Sequence, residues 1–338
     1  MSKFSLAAAL GVIPAVFSAV SASAVEPPIA VISPSRVVAL GEPATTGGGS
    51  VVSCVAVDPA GKWLAAVGDD HLVRVFRLPG LALSYELPGH IDWGRTAAFR
   101  GDGELLATAG DDHRIRFWEA SQRPSLRCAP AGQQPIYALA FSPDGQSLAA
   151  AGRSDEVRIH HGNSGRLLSV LAAPGGNIRS VGFSPGGRYL AAAAGGTLRI
   201  WDASTGEPLR DSTAPQRPIH ALAWSPDGKL LAAASGQRSI QLWELTSGRI
   251  AADLRYRGGP VRALIFCGPG TLASAGTDNV IRVWDVAAGC QRAQLLGHTG
   301  TVSTLAYEPN SGTLVSGSFD NTLRTWPIGS RRNEPASR

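Results

Sequence analysis

Short apolar stretches, each bounded by turn residues, recur along most of the chain. Two of them, 136–141 (Ile-Tyr-Ala-Leu-Ala-Phe) and 147–151 (Ser-Leu-Ala-Ala-Ala), flank the turn Ser-Pro-Asp-Gly at 142–145. Apolar runs of four to eight residues between glycine, proline and aspartate are typical of β-strands. Since no segment of this pattern keeps a helical period, the sequence predicts an all-β structure.

The pattern of strand, turn and strand repeats seven times. Its turn glycine recurs at gaps of 41 or 42 residues, at Gly61, Gly103, Gly145, Gly187, Gly228, Gly270 and Gly312. A second series, an aromatic residue or its substitute, keeps the same spacing at Phe76, Trp118, His160, Trp201, Trp243, Trp284 and Trp326. A period of 40–45 residues is typical of propeller blades with four strands each.

The motifs within these repeats resemble the WD40 repeat family. Trp-Asp occurs at 201–202 and 284–285, and Gly-His occurs at 89–90 and 297–298. The resemblance extends over residues 36–326. It implies a seven-bladed β-propeller of four-stranded antiparallel blades, which acts as a platform for protein–protein interaction.

The resemblance also implies a buried tetrad that joins the Gly-His histidine, a serine or threonine, a turn aspartate and the anchor tryptophan by hydrogen bonds. Two repeats keep all four residues: His90, Thr108, Asp112 and Trp118 in the second, and His298, Ser316, Asp320 and Trp326 in the seventh. Buried imidazole and indole N–H groups need such partners, so we expect a structural role despite the likeness to a Ser-His-Asp triad. His160 replaces the tryptophan in the third repeat, where we expect a weaker blade.

The last repeat lacks its fourth strand, because few residues follow Trp326. The segment 36–41 (Arg-Val-Val-Ala-Leu-Gly) aligns with the fourth strand of the sixth repeat at 292–297. We therefore expect an N-terminal strand to complete the last blade and close the ring. The predicted organisation is a Pro-rich linker at 25–35, the propeller at 36–329 and a flexible tail at 330–338.

Residues 1–24 have the layout of a secretory signal peptide. Lys3 precedes an apolar stretch at 4–20, and Ser-Ala-Ser-Ala at 21–24 provides a cleavage site of small residues. Cleavage after Ala24 predicts a secreted or periplasmic protein without a membrane span. If the segment is only an Ala-rich start, the protein is cytoplasmic. The four cysteines fit either disulfides in an oxidising compartment or small buried residues.

Composition and charge narrow the function classes. The 338 residues include 40 glycines and 23 prolines, with 44% hydrophobic and 17% charged residues, so a packed core with many turns is available. The net charge of +5 is modest, and nucleic acid is not an expected partner. Arginines recur two residues before the anchor, and we expect their guanidinium groups to reach solvent. They are Arg74, Arg116, Arg158, Arg199, Arg282 and Arg324.

Enzyme motifs are missing from the sequence. It has no Gly-x-Ser-x-Gly elbow, no phosphate-binding loop and no His-Glu-x-x-His motif. His160 and His161 are adjacent on a strand and would point to opposite faces, so they would not share a metal ion. We expect no catalytic residue, no cofactor and no metal.

A more selective set of residues lies one position after the Val or Ile (Gly94 in the second repeat) that opens each first strand, which the resemblance places around the channel mouth. It consists of Ser53, Arg95, Tyr137, Arg179, His220, Arg262 and Ser303, and Trp93 lies nearby in the preceding loop. Arginine and aromatic side chains suit carboxylate contacts and anchoring. The sequence predicts binding of an acidic or C-terminal peptide of an unidentified partner by a chain that we expect to be monomeric. Three alternatives stay open: a neutral rim, a small anionic ligand or glycan, and a hydrolase or lyase with a site in the channel.

Overall fold

The computed structural model describes residues 29–40, 50–119, 126–130, 132–213, 218–236 and 238–329. Every regular element in these ranges is a β-strand. No helix that is long and apolar enough to cross a membrane occurs in them. The predicted signal peptide and C-terminal tail lie outside the described residues.

The strands form seven sheets, one per repeat, and confirm the predicted propeller. After two N-terminal strands, β1 (Ala30–Ile32) and β2 (Arg36–Ala39), blades 1 to 6 have four strands each, and blade 7 provides three. The first three blades consist of β3 (Val52–Val57), β4 (Trp63–Gly68), β5 (Leu72–Arg77), β6 (Ala82–Pro88); β7 (Gly94–Phe99), β8 (Leu105–Gly110), β9 (Arg114–Glu119), β10 (Leu126–Pro130); and β11 (Ile136–Phe141), β12 (Ser147–Gly152), β13 (Glu156–His161), β14 (Leu167–Ala172).

The remaining blades follow the same order. They consist of β15 (Ile178–Phe183), β16 (Tyr189–Ala194), β17 (Thr197–Asp202), β18 (Pro208–Thr213); β19 (Ile219–Trp224), β20 (Leu230–Ser235), β21 (Ser239–Glu244), β22 (Ile250–Arg255); β23 (Val261–Phe266), β24 (Thr271–Gly276), β25 (Ile281–Asp285), β26 (Cys290–Leu295); and β27 (Val302–Glu308), β28 (Thr313–Ser318), β29 (Thr322–Pro327). The first strand of each blade packs beside the first strand of the next, and β27 returns to β3. These strands are therefore the innermost ones, around a central channel.

Small residues on the second strand of each blade allow the sheets to pack closely. In β16, Ala191, Ala192 and Ala193 have no exposed surface, and Leu190 is almost completely buried. Larger side chains from the flanking strands, such as Trp201, fill the space between blades. Since both faces of most blades are covered in this way, few positions remain for charged side chains, which explains their low share of the sequence.

The N-terminal strand β2 completes blade 7, as the sequence predicts. It pairs antiparallel with β29, with Val37 opposite Arg324 and Val38 opposite Leu323. Val38 and Leu40 pack into the apolar core that blade 7 shares with blade 1. The beginning and the end of the propeller are thus held in one sheet.

The prediction of a linker at 25–35 is wrong for part of this segment. Ala30–Ile32 forms β1, which pairs parallel with β26 as a fifth strand on blade 6. Leu296 N donates to Ile32 O at 3.1 Å, and the Ile32 side chain packs against the core between blades 6 and 7. The three prolines of this segment suggested a linker, but the apolar Ala-Val-Ile run between them has an exposed strand edge to pair with. Residues 25–28 lie outside the described residues.

Candidate functional site

One residue near the start of each innermost strand forms a β-bulge. In β11, Ile136 pairs with Gly152 and Ala138 pairs with Ala151, which leaves Tyr137 without a partner on β12. The same register shift occurs in the other six blades. A bulge bends the strand and re-aims the extra side chain. The bulged residues are Ser53, Arg95, Tyr137, Arg179, His220, Arg262 and Ser303.

All seven bulged side chains line one cavity of about 470 Å³, here called the channel mouth. Thr277, Thr301 and Phe319 also line it, and the sequence analysis missed all three. Thr301 precedes β27, while Thr277 and Phe319 follow β24 and β28, so the cavity opens where the innermost strands begin. Phe319 occupies the repeat position of Asp69 and Asp111, and comparison of these turns would have found it.

Arg95 lies in the channel mouth with its charge already paired. Its Nη2 is 2.5 Å and its Nε 3.0 Å from Asp111 Oδ2. The Trp93 ring stacks on the guanidinium, 4.2 Å from ring centroid to Cζ. Trp93 itself is half-buried and, unlike the bulged residues, does not line the cavity. The Arg95 guanidinium is thus fixed on the blade 2 side of the mouth by its ion pair with Asp111 and by its contact with the Trp93 ring.

Blades 4, 5 and 6 present Arg179, His220 and Arg262, here called the basic arc. Among the described residues, neither arginine has a carboxylate within 4 Å. Burial, together with the charges of Arg262 and Arg179, lowers the pKa of His220 to about 4. Burial and the charge of Arg179 also lower the pKa of Arg262. The two arginines therefore crowd positive charge into one part of the cavity, and this charge helps to keep the imidazole of His220 neutral at pH 7.

The remaining bulged residues form a neutral side of the mouth. Ser303 Oγ donates to Val52 O at 2.5 Å, which joins blade 7 to blade 1. The buried Ser53 Oγ has no hydrogen-bond partner among the described residues. The Tyr137 ring lies 5.8 Å from the Arg179 guanidinium carbon, so an aromatic face borders the basic arc.

The two tetrads have nearly the same geometry and lie within blades 2 and 7, and none of their residues lines the channel mouth. In blade 2, His90 Nε2 is 2.8 Å from Thr108 Oγ1, and His90 Nδ1 is 2.9 Å from Asp112 Oδ2. Trp118 Nε1 donates to Thr108 Oγ1 at 2.8 Å. In blade 7 the corresponding distances for His298, Ser316, Asp320 and Trp326 are 2.7, 2.8 and 2.8 Å.

Buried charge pairs surround the tetrad aspartates. Burial by itself would raise the pKa of Asp112, but the hydrogen bond and charge of His90 and the Arg116 guanidinium outweigh it and lower the pKa to about 2. The pKa of Asp320 is lowered too, by its hydrogen bonds to His298 and Thr322 against the effect of burial. Both aspartates are therefore ionised at neutral pH as fixed hydrogen-bond acceptors.

The expectation that the repeated arginines extend to solvent is wrong for Arg116 and Arg282. Both are buried. Arg116 Nη1 lies 2.5 Å from Asp112 Oδ2, and Arg282 Nη2 lies 2.7 Å from Asp278 Oδ2. Because the aspartate precedes the arginine by four residues across a tight turn, the pair forms locally and lets the guanidinium be buried.

His160 and His161 point to different environments and do not converge. His160 is buried, and its Nδ1 lies 2.9 Å from Gly165 O. His161 Nδ1 accepts hydrogen bonds from Asn163 N and Ser164 N, as Asp202 Oδ1 does for the equivalent turn in blade 4. Within the described ranges there is no group of three His, Cys, Asp or Glu residues that could hold a metal ion.

All four cysteines lie in the described part of the chain, and all are free. Cys128 is exposed, whereas Cys267 is buried. Burial raises the pKa of the Cys267 thiol to about 12, which keeps it protonated. The second alternative, small buried or half-buried residues, thus fits Cys54, Cys267 and Cys290 but is wrong for Cys128.

Comparison with known proteins agrees with this architecture. The family model described as "WD domain, G-beta repeat" matches residues 41–77, 82–119, 125–161, 165–202, 206–244, 254–285 and 289–327. Over 66 residues, which are 19% of its length, the chain is 44% identical to mitochondrial division protein 1 of Mycosarcoma maydis and 42% identical to that of Malassezia globosa. These matches cover 8% and 10% of the two fungal proteins. Seven consecutive matches on seven sheets show that the chain belongs to the WD40 repeat family.

Proposed function

We propose that the chain is a non-catalytic scaffold that binds an acidic peptide segment of a protein partner at the channel mouth. Protein-interaction scaffolds are typical of WD40 propellers, and the basic arc supports the finer statement. Arg179 and Arg262 lie in the same cavity, and neither has a carboxylate partner among the residues that the structure describes. A carboxylate that entered this site would relieve their mutual repulsion and form charge-assisted hydrogen bonds.

The two sides of the mouth favour an extended, partly apolar ligand. Phe319 lines the cavity and is 47% exposed, and Tyr137 lies next to Arg179. An acidic residue on the basic arc could thus be flanked by an aromatic or aliphatic residue on Phe319. Exposed aromatic and arginine side chains in a concave centre are frequent energetic anchors of protein interfaces.

A small anionic ligand is a second candidate, supported by the size of the cavity. About 470 Å³ falls within the range of small-molecule sites. The division role of the two fungal relatives is not part of the proposal, because the chain matches a tenth or less of their length.

The test removes the charge of the basic arc and measures binding of a fluorescent hexaglutamate peptide by anisotropy. Each charge-assisted hydrogen bond contributes about 1.5–3 kcal/mol, so we expect Arg179→Ala with Arg262→Ala, which removes at least two of them, to weaken binding by at least about a hundredfold. Arg292→Ala, on the outer strand β26 of blade 6 and with a mostly exposed side chain that does not line the mouth, should leave binding unchanged. Equal binding by the double variant would disprove the proposal. Binding of inorganic phosphate with an affinity equal to that of the peptide would favour the small ligand.

Binding should also respond to pH through His220. Its pKa of about 4 keeps the imidazole neutral at pH 7. A bound anion stabilises the imidazolium and raises that pKa, so the complex takes up a proton and binding tightens as the pH falls from 7 to about 5. Nearer pH 4 the glutamate side chains of the peptide themselves become protonated. His220→Asn should reduce this dependence relative to the unchanged protein.

We further propose that the chain is exported to the periplasm or the medium. The support is the sequence of residues 1–24, with one lysine, an apolar stretch and small residues at the cleavage site. An exported scaffold would meet its partner outside the cytoplasm, where the exposed Cys128 thiol would be open to oxidation.

A further inference from the structure

The outermost strand of blade 3 differs from the other outer strands in its charge. The sequence of β14 is Leu-Leu-Ser-Val-Leu-Ala, without a charged residue. Exposed edge strands usually carry charges that prevent pairing with other chains. Each of the other six fourth strands carries at least one: Arg36 in β2, Glu86 in β6, Arg127 in β10, Arg210 and Asp211 in β18, Asp253 and Arg255 in β22, and Arg292 in β26.

The difference is clearest at one ladder position. In blade 1, Arg74 pairs with Glu86, and in blade 4, Arg199 pairs with Asp211, each pair with an ion pair across the two strands. In blade 3 the position opposite the corresponding arginine is Val170. Val170 is 45% exposed. An apolar side chain therefore stands where blades 1 and 4 place an acidic one. Blade 7 has Val37 at this position, but its strand β2 also carries Arg36.

Neighbouring side chains of β14 extend this apolar surface. Leu167 and Leu168 are about as exposed as Val170, with 45% and 43% of their surface accessible. Leu171 points inward and is buried. Together with Ser169, the exposed residues form an uncharged strip along the rim of the ring.

The backbone of β14 also has a free edge. Ala173 N donates to Asp155 O, so residue 173 directs its backbone groups towards β13. Leu171 and Ser169, two and four residues earlier, lie opposite Val157 and Ile159 and direct their backbone groups the same way. In an antiparallel ladder, alternate residues direct their amide and carbonyl groups to the two sides. The amide and carbonyl of Val170 therefore point away from β13, to the outside of the ring.

We propose that this edge pairs antiparallel with the same edge of a second copy of the chain. A two-fold dimer places a strand against itself. In outer strands whose charges have one sign, such as β6 and β10, self-pairing would bring like charges to the shared edge, whereas β14 meets only apolar and hydroxyl groups. The pairing of β1 with β26 demonstrates that an outer edge of this propeller can accept a further strand. The inference replaces the monomer that we expect from the sequence.

The test compares the mass of the full chain in solution over a concentration series, by light scattering during gel filtration. The unchanged protein should form a dimer that dissociates on dilution. Val170→Lys should be monomeric at every concentration, because two lysines would meet at the shared edge. Leu209→Lys, at an equally exposed position (52%) on the outer strand of blade 4, should dimerise as the unchanged protein does.

A mixture of Val170→Lys with Val170→Glu distinguishes self-pairing from other contacts. Opposite charges across the edge should restore a dimer in the mixture, while each variant alone stays monomeric. Unchanged melting temperatures of the variants would show that the blade itself is intact. A monomeric unchanged protein, or a Val170→Lys variant that still dimerises, would overturn the proposal.

Discussion

Equivalent positions in the seven repeats carry different residues, and these differences decide where the chemistry of the molecule lies. At the bulge of the innermost strand, arginine is paired with Asp111 in blade 2 but has no acidic partner in blades 4 and 6 of the described chain. In blade 7 the hydroxyl of the tetrad serine, Ser316, is hydrogen-bonded to both His298 and Trp326. In blade 6 the equivalent Ser274 accepts a hydrogen bond from Trp284 and has no histidine at the corresponding position. Such differences can be tested with matched substitutions.

Ser316→Ala should destabilise the protein more than Ser274→Ala. Ser316 Oγ contacts both His298 Nε2 and Trp326 Nε1, at 2.7 and 2.8 Å, and both serines are fully buried. Since each buried group left unpaired costs about 1–3 kcal/mol, we expect a loss of roughly 3 kcal/mol for Ser316→Ala and roughly half of that for Ser274→Ala. Urea unfolding measures both.

Equal losses in the two variants would contradict the assigned network, because the serines match in size and burial and differ only in the histidine. A loss close to zero in both would mean that water replaces the hydroxyl. The contribution of His298 would then be small, and the tetrad would not stabilise blade 7.

At the scale of elements, the two N-terminal strands stabilise different parts of the ring. β2 pairs with β29 and brings Val38 into the core between blades 7 and 1. β1 adds three residues to the outside of blade 6, where Val31 is largely exposed. Only β2 joins the two ends of the propeller, so its loss should matter more.

Replacing residues 36–39 by glycine and serine should lower the melting temperature by about 5 °C. The closing strand would lose its apolar contacts while the chain length stays the same. The same replacement at residues 30–32 is the control and should lower the melting temperature by less than half as much. Differential scanning calorimetry measures both, and equal shifts would argue against a closing role for β2.

Across the whole molecule, the net charge of +5 gives a poor description of the surface. Arg116 and Arg282 are buried against aspartates, and Arg95 is paired with Asp111. In the basic arc, by contrast, Arg179 and Arg262 concentrate positive charge at the channel mouth, where neither is paired with a carboxylate in the described part of the chain. A ligand would therefore meet a local field much stronger than the net charge suggests.

Export also concerns the whole molecule and depends on the residues before the propeller. N-terminal sequencing of the protein purified from its native host should begin at Val25. Leu10→Arg interrupts the apolar stretch and should keep the chain in the cytoplasm with its signal sequence uncleaved. A protein from the unchanged gene that begins at Met1 or Ser2 would disprove the proposed cleavage.

Much of the architecture could be predicted from the sequence, because a repeat needs only local patterns to be recognised. The turn glycines and anchor residues gave seven blades, and the alignment of 36–41 with 292–297 gave the closing strand. The ring of bulged residues was also predicted, since one position per repeat can be counted from the Val or Ile, or Gly94 in blade 2, that opens each first strand.

Other features could not be predicted, because they depend on contacts between distant parts of the chain. The partner of Arg95 is 16 residues away in a turn, and whether an arginine meets a carboxylate depends on the local backbone path. The sequence around β1 is typical of a linker, and it forms a strand only because the exposed edge of blade 6 lies beside it. The sequence by itself thus determined the number of blades and the seven bulged residues of the mouth, through the periodic repeat pattern. The tertiary structure decided which charges are paired and which edges stay open, because both depend on neighbours that only the closed ring brings together.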